Sequence, residues 1–172
     1  MIDKVEKMTI ENLPSPSTPE EHAQLSILKQ LACMPDNFRI CFFHLQADKR
    51  LHGKHALLNL WHGKYDVLCV NMAGFIRELI QAIHKGTWLA DMDRYQEPEI
   101  LLVDDWHLIT AKDSTMETFY SLILKPRLEK KLLTVIFSEQ GYTELSPILR
   151  DDLRNLLRLG LQDLDWTQKE TK

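Results

Sequence analysis

The chain has 172 residues, 44% apolar and 27% charged, the make-up of one ordinary globular domain and not of a disordered chain, a collagen or a coiled-coil rod. Lys and Arg number 21 against 25 Asp and Glu, so the formal charge of −4 gives no global attraction to nucleic acid or anionic lipid. The three cysteines, Cys33, Cys41 and Cys69, form no CxxC pair, which argues against a disulfide framework or a zinc ribbon and for a reducing, cytoplasmic setting. The start, MIDKVEKMTIENL, lacks the apolar region of a signal peptide, and no run approaches the ~18 residues of a membrane span.

Residues 1–17 mix charges with prolines and serines and read as a flexible tail. Thr18-Pro19-Glu20-Glu21 then supplies a cap, a proline at the first helical position and a capping-box glutamate. Leu25, Leu28 and Leu31 follow on one face, so 19–33 reads as an amphipathic helix. FRICFFHLQ, 38–46, has the look of a buried strand. A polar loop leads to a helix over KHALLNLW, and YDVLCV, 65–70, is a second strand. MAGFIRELIQAIHKG places Phe75, Leu79, Ile80 and Ile83 on one side of a helix, and TWLADMDRYQ forms a shorter one. EILLVDD, 99–105, is the clearest strand. Ser114 to Glu117 is a second capping box, opening a helix whose last turn Pro126 disturbs. LLTVIF, 132–137, is a fourth strand, Ser146-Pro147 opens another helix, and LRLGLQDL ends the pattern as a short strand. Continuously apolar strands alternating with helices predict a three-layer α/β sandwich around a parallel sheet. Cys41 and Cys69, both in strands, are expected to be buried and inert.

ILLVDD carries the strongest chemical signal: an apolar strand that delivers Asp104 and Asp105 to the carboxyl edge of a parallel sheet, where such folds bind ligands. In nucleotide hydrolases the first such acid helps to hold magnesium and a second can orient water. A phosphate loop, GxxxxGK[ST], should follow the first strand. Residues 48–55 read DKRLHGKH there: Gly53 and Lys54 match, Asp48 replaces the first glycine and His55 the magnesium-binding hydroxyl. A carboxylate repels phosphate, and imidazole is a poor ligand for oxygen-seeking magnesium.

Taken together, the two motifs and the residues around them resemble the AAA+ domain of the bacterial replication initiator DnaA and its short relative Hda. The stretch EILLVDDWHLITAKDSTMETFYSLIL resembles that family's Walker B strand and following helix, and TVIFSEQGYTELSPILRDDL its sensor 1 strand and the run into the arginine-finger helix. The segment from Asn71 to Glu99 resembles the extra helices that mark initiators. The likeness is strong over 98–161 and weak over 38–64. It implies an AAA+ core at 18–164 with a five-stranded sheet ordered 5-1-4-3-2, and a tail at 165–172. Carried over by position, it implies Asp104 as the magnesium-side acid, Asp105 as the catalytic acid, Gly53 and Lys54 as vestigial nucleotide-binding residues, and Glu139 at sensor 1. The arginine-finger position falls on Leu156, which cannot stabilise phosphoryl charge; loss of a finger costs about 10³–10⁵ in rate. The chain is expected to hold neither the helical lid nor the DNA-reading domain of the initiators.

The resulting expectation is a regulatory or adaptor pseudo-ATPase of replication initiation. It would not be an enzyme, would carry no resident ATP, ADP or magnesium, and would act through contacts with DnaA, the replicative helicase or the sliding clamp. Self-association is a further option. Arg150, Arg154 and Arg158 form one helical stripe, read as a solvated face or as a partner contact. A second reading is a single-stranded nucleic-acid module in which Arg77, Lys85, Arg94 and Lys112 supply charge and Trp88 stacking. A third is a weak ATPase completed by a partner. Gln24-Leu25-Ser26-Ile27-Leu28 resembles the clamp-binding peptide of Hda but lies inside the predicted first helix, with its leucines on the apolar face. A zinc site from His52, His55 and His62 would lack a well-spaced fourth ligand, and no metal site is expected.

Overall fold

A computed structural model describes residues 2–111, 113–141 and 151 of the chain. Among these residues the sheet has four parallel strands, β1 (Ile40–His44), β2 (Val67–Asn71), β3 (Ile100–Asp104) and β4 (Leu133–Ser138), in the order β1-β4-β3-β2. That is the expected order less its fifth strand, which falls outside the described residues. Helix α1 (Ile2–Glu6) precedes α2 (Pro19–Cys33), and α3 (Ala47–Trp61) joins β1 to β2. α4 (Met72–Lys85) and α5 (Trp88–Asp93) join β2 to β3. A 3₁₀ stretch, Trp106–Ala111, leads from β3 to α6 (Asp113–Phe119), a π-turn at Tyr120–Leu124, and α7 (Lys125–Glu129).

β1, β3 and β4 are apolar on both sides because both sheet faces are covered there. Cys41, Phe43, Leu102, Val135 and Phe137 pack against α2 and α3 through Leu28, Leu31, Leu57 and Trp61. The alternate residues Phe42, Leu101, Val103 and Ile136 pack on the opposite side with Phe75, Trp106, Phe119 and Ile123. Burying each such side chain contributes roughly 1.5–3 kcal/mol.

Local chemistry sets several boundaries. The Glu21 backbone N–H donates to Thr18 Oγ1 (3.1 Å), and the Glu21 carboxylate accepts from the Ser17 N–H (2.7 Å). Hydrogen bonds from Lys49 and from Ser17 hold the Glu21 carboxyl below its ordinary range. Pro126 has no N–H for the carbonyl of Leu122. The helix adopts a π-turn just before it, and the freed Leu122 oxygen accepts from Gln96 Nε2 at 2.6 Å. Ser114 does not start its helix, since α6 begins at Asp113.

Three expectations need correction. Residues 2–17 are not a detached tail: Met8 is buried, and Asn59 Nδ2 of α3 donates to the carbonyls of Val5 (3.0 Å) and Met8 (2.9 Å). The helix after β1 starts at Ala47, two turns before the predicted Lys54, because no glycine keeps 47–52 out of the helical basin. Cys41 is buried, but Cys69 is exposed, since β2 pairs on only one side among the described residues.

Candidate functional site

The parallel strands bring His44, Asn71, Asp104 and Ser138 to one carboxyl edge, with Asn71 opposite Asp104 and His44 opposite Ser138. Asp104 and the following Asp105 sit there as predicted. Asp105 adopts a left-handed backbone (φ 54°), which aspartate tolerates better than most residues. Two bonds hold it: its N–H donates to Asp104 Oδ1 (2.8 Å), and its Oδ2 accepts from Asn71 Nδ2 (2.7 Å). The other end of the Asn71 amide accepts from the Ala73 N–H (2.9 Å) and caps α4.

Across from the acids stands α3. Arg50 and Lys54 are four residues apart and so share one helix face. Lys54 Nζ donates to Asp104 Oδ2 at 2.6 Å. Arg50 Nε lies 3.4 Å from Asp104 Oδ1, its Nη2 3.2 Å from Asp105 Oδ1, and its Nη1 3.9 Å from Glu139 Oε1. The Arg50, Lys54 and Asp104 side chains are only 12%, 15% and 10% exposed, so the pairing is poorly screened by solvent. Buried Arg50 Nη1 has no hydrogen bond closer than its long approach to Glu139. The Glu139 N–H also donates to His107 Nδ1 (3.4 Å), and His107 Nε2 lies 3.6 Å from the Glu139 carboxylate. Asp104, Asp105, Glu139 and Lys54 are thus brought together. Arg50, Asn71 and His107 join them; Asn71 and His107 were not singled out from the sequence, whereas Arg50 belongs to the basic stretch around Lys54. The i, i+4 spacing of Arg50 and Lys54 is the signal that would have pointed to Arg50 at this site.

The segment that would form a phosphate loop is helical from Ala47 onward. Only Leu45 and Gln46 separate β1 from α3, and the Arg50 N–H already donates to the Gln46 carbonyl at 2.8 Å. The backbone that a phosphate loop would curl around an anion is spent on helical turns. Gly53 serves packing: a Cβ there would lie 3.0 Å from Leu28 Cδ1 of α2. Lys54 is tied to Asp104, and Arg50 holds the space between the acids. His55, at the hydroxyl position, is half-buried, and burial and then Lys54 push its pKa below the ordinary histidine value.

The nucleic-acid candidates are dispersed. Arg94 pairs with Glu78 and donates to Tyr95 Oη (2.6 Å), with its guanidinium 4.7 Å from the Tyr95 ring centre. Tyr95 Oη itself donates to Glu78, and burial pushes the phenol up to about 12. Trp88 is half-buried against the core, while Arg77 and Lys85 are exposed. Lys85 borders a cleft of about 240 Å³ shared with Glu78 and Asp91. Lys112, Arg150, Arg154, Arg158 and Leu156 lie outside the described residues. The clamp-like peptide is built into α2: Leu25 and Leu28 are buried, and Gln24 Oε1 accepts from the His44 N–H at 2.6 Å. Among the described residues no three His, Cys, Asp or Glu side chains form a metal cage, and no helix is long and apolar enough to cross a membrane.

The family model described as the bacterial DnaA ATPase domain matches residues 51–163. The chromosomal replication initiator protein DnaA of Symbiobacterium thermophilum is 36% identical over 95 residues, covering 55% of this chain and 20% of that protein. Among solved structures, domain III of the Thermotoga maritima replication initiation protein DnaA superposes with a TM-score of 0.76 at 18% identity, over 89% of this chain and 64% of that one. A replication initiator DnaA bound to AMPPCP and single-stranded DNA gives 0.75 at 17% identity, over 88% of this chain and 47% of that one. The chain spans a fifth to just over a quarter of the curated relatives it matches. The α/β core with its parallel sheet is that of these AAA+ domains. The chain belongs to the bacterial DnaA ATPase domain family.

Proposed function

We propose that this protein is a nucleotide-independent member of the DnaA family that acts in replication initiation through protein contacts, as a regulator or adaptor. One observation carries the reading: α3 extends through the segment where a phosphate loop would lie and sets Arg50 and Lys54 against Asp104, Asp105 and Glu139. Two cations balance most of the charge of three carboxylates, a service that magnesium performs in an active nucleotide site. The fold stays closed without a ligand, and what it offers to others is its surface. Partners of matching chemistry are the replication proteins with which DnaA-type domains assemble: DnaA itself, the replicative helicase or the sliding clamp. The buried clamp-like peptide in α2 directs that search to other surfaces.

Co-purification of the tagged chain from cells, with each of the three partners probed separately, tests this reading. Recovery of one of them, undiminished by Lys54→Ala, is expected. Repeated failure to recover any of them would reject the adaptor role. A titration with oligothymidine at low salt tests the nucleic-acid reading separately: binding through exposed Arg77 and Lys85 would fall steeply with salt.

A further inference from the structure

The front of α3 has little to hold it by itself. Gln46 caps it with no side-chain bond, and Gly53 lies in its first half, where glycine costs about 1 kcal/mol relative to alanine. A helix framed so weakly depends on tertiary ties. Of residues 47–52, Ala47, Asp48 and Leu51 are exposed, while Lys49, Arg50 and His52 are partly buried. Those three side chains carry the ties. Arg50 faces the acids, and Lys54 joins it one turn on. Lys49 and His52 turn the other way, toward the N-terminal segment.

Residues 5–17 run along that other side. Lys49 Nζ donates to Ser17 Oγ (2.7 Å) and to Glu21 Oε2 (2.5 Å). His52 Nε2 lies 2.8 Å from Asn12 Oδ1 and 3.2 Å from the Thr9 carbonyl oxygen. Asn59 Nδ2 donates to the carbonyls of Val5 and Met8. At about 100° per residue, Lys49, His52 and Asn59 share one face of α3, nearly opposite the face of Arg50 and Lys54. The segment also braces itself: the Thr9 N–H donates to Asn12 Oδ1 (2.8 Å), and Asn12 Nδ2 donates to the Lys7 carbonyl (2.8 Å). Ile10 and Leu13 pack against the core under α2 and α3. Met8 is the one buried side chain of residues 4–17, so this segment opens at a lower cost than the sheet.

One helix is thus gripped from two sides, by a segment of the chain on one and by carboxylates on the other. Loosening the first grip removes support from the second. We infer that residues 5–17 are an intramolecular clasp: they keep the front of α3 helical, and so keep Arg50 and Lys54 shut against Asp104, Asp105 and Glu139. Release of the segment opens the charge cluster. The inference deepens the proposed function, since it rests on the reading that these cations close the site, and it gives that closure a regulatory handle.

Pulsed acetylation of the full chain, read at each lysine by mass spectrometry, tests the inference. Lys54, paired with Asp104, should react more slowly than exposed Lys85 by at least about tenfold, because it reacts only when α3 opens. Two variants loosen the clasp from its two halves. Met8→Asp removes the buried anchor, and Asn59→Ala removes two carbonyl ties. Each should speed acetylation of Lys54 by at least about fivefold, with Lys85 unchanged, and should speed hydrogen exchange at the amides of 50–54. The sign for Asn59→Ala is one that a local effect does not produce: alanine is the better helix former, so without a clasp the exchange slows. Circular dichroism confirms that the variants are folded, and Asn59→Ala, at an exposed position, decides the matter if Met8→Asp is not. Lys54 equally protected in a folded Asn59→Ala chain overturns the clasp and leaves the closed site standing. Lys54 as reactive as Lys85 in the unaltered chain overturns the closed site, and the clasp with it.

Discussion

A buried arginine and a largely buried one, at opposite ends of one sheet, solve the same problem differently. Arg127 is fully buried at the amino end. Its guanidinium donates to the carbonyls of Pro98 (2.8 Å), Tyr95 (3.1 Å) and Leu133 (2.6 Å) and to Thr134 Oγ1 (3.0 Å), all neutral acceptors. Burial alone lowers its pKa to about 10. Arg50, at the carboxyl end, faces three carboxylates at 3.2–3.9 Å, and one of its nitrogens is left without a hydrogen bond. Arg127 is a fully satisfied tie that fixes the α5–β3 connection to β4. Arg50 is a charge set loosely among acids. The contrast separates a cation satisfied by neutral acceptors from one set among carboxylates.

Substitution at the tie should have the largest effect. Arg127→Ala leaves several carbonyls buried and unpaired and opens a void, so we expect a loss of about 3–5 kcal/mol in urea unfolding. Arg127→Lys should recover only part of it, because an ammonium cannot reach so many acceptors at once. At the other end, Asp104→Asn should cost about 1–3 kcal/mol, because Lys54 and Arg50 then keep their burial without their main partner. An increase in stability on Asp104→Asn would instead mark the acids as a strained, unpaired active-site cluster and break the comparison. Gly53→Ala should change stability by under about 1 kcal/mol, since the helix gains propensity while the new methyl presses on Leu28 at 3.0 Å.

The smallest expected effect is one of pH. The folded-state pKa of His55 is depressed, so its contribution to stability is full above the ordinary histidine value near 6.5 and is lost as pH falls through the lowered value. Urea midpoints should therefore decline below pH 6.5, and His55→Gln should remove part of that slope. An unchanged slope would show that His55 carries none of the acid sensitivity.

Much of the fold was legible because burial on both faces writes itself into composition. The apolar runs at 38–46, 65–70, 99–105 and 132–137 contain β1 to β4 to within a residue or two. Thr18 to Glu21 announced α2 through a cap whose bonds are present. Asp104 and Asp105 were legible because an apolar strand can only deliver its terminal acids to the sheet edge. The start of α3 was not, since a phosphate-loop template draws the eye to Gly53 and Lys54 while 47–52 holds nothing to interrupt a helix. Nor was the role of Asn71, which depends on the register that sets it beside Asp104 across two strands. The first seventeen residues looked solvated because their anchors, His52 and Asn59, are forty or more positions away in the chain.

The central claim is that Arg50 and Lys54 occupy the nucleotide site. Calorimetric titration of the purified chain with ATP and magnesium tests it most directly. The account predicts no saturable heat for the chain as it stands. Saturable, magnesium-dependent binding that disappears in Lys54→Ala would contradict it.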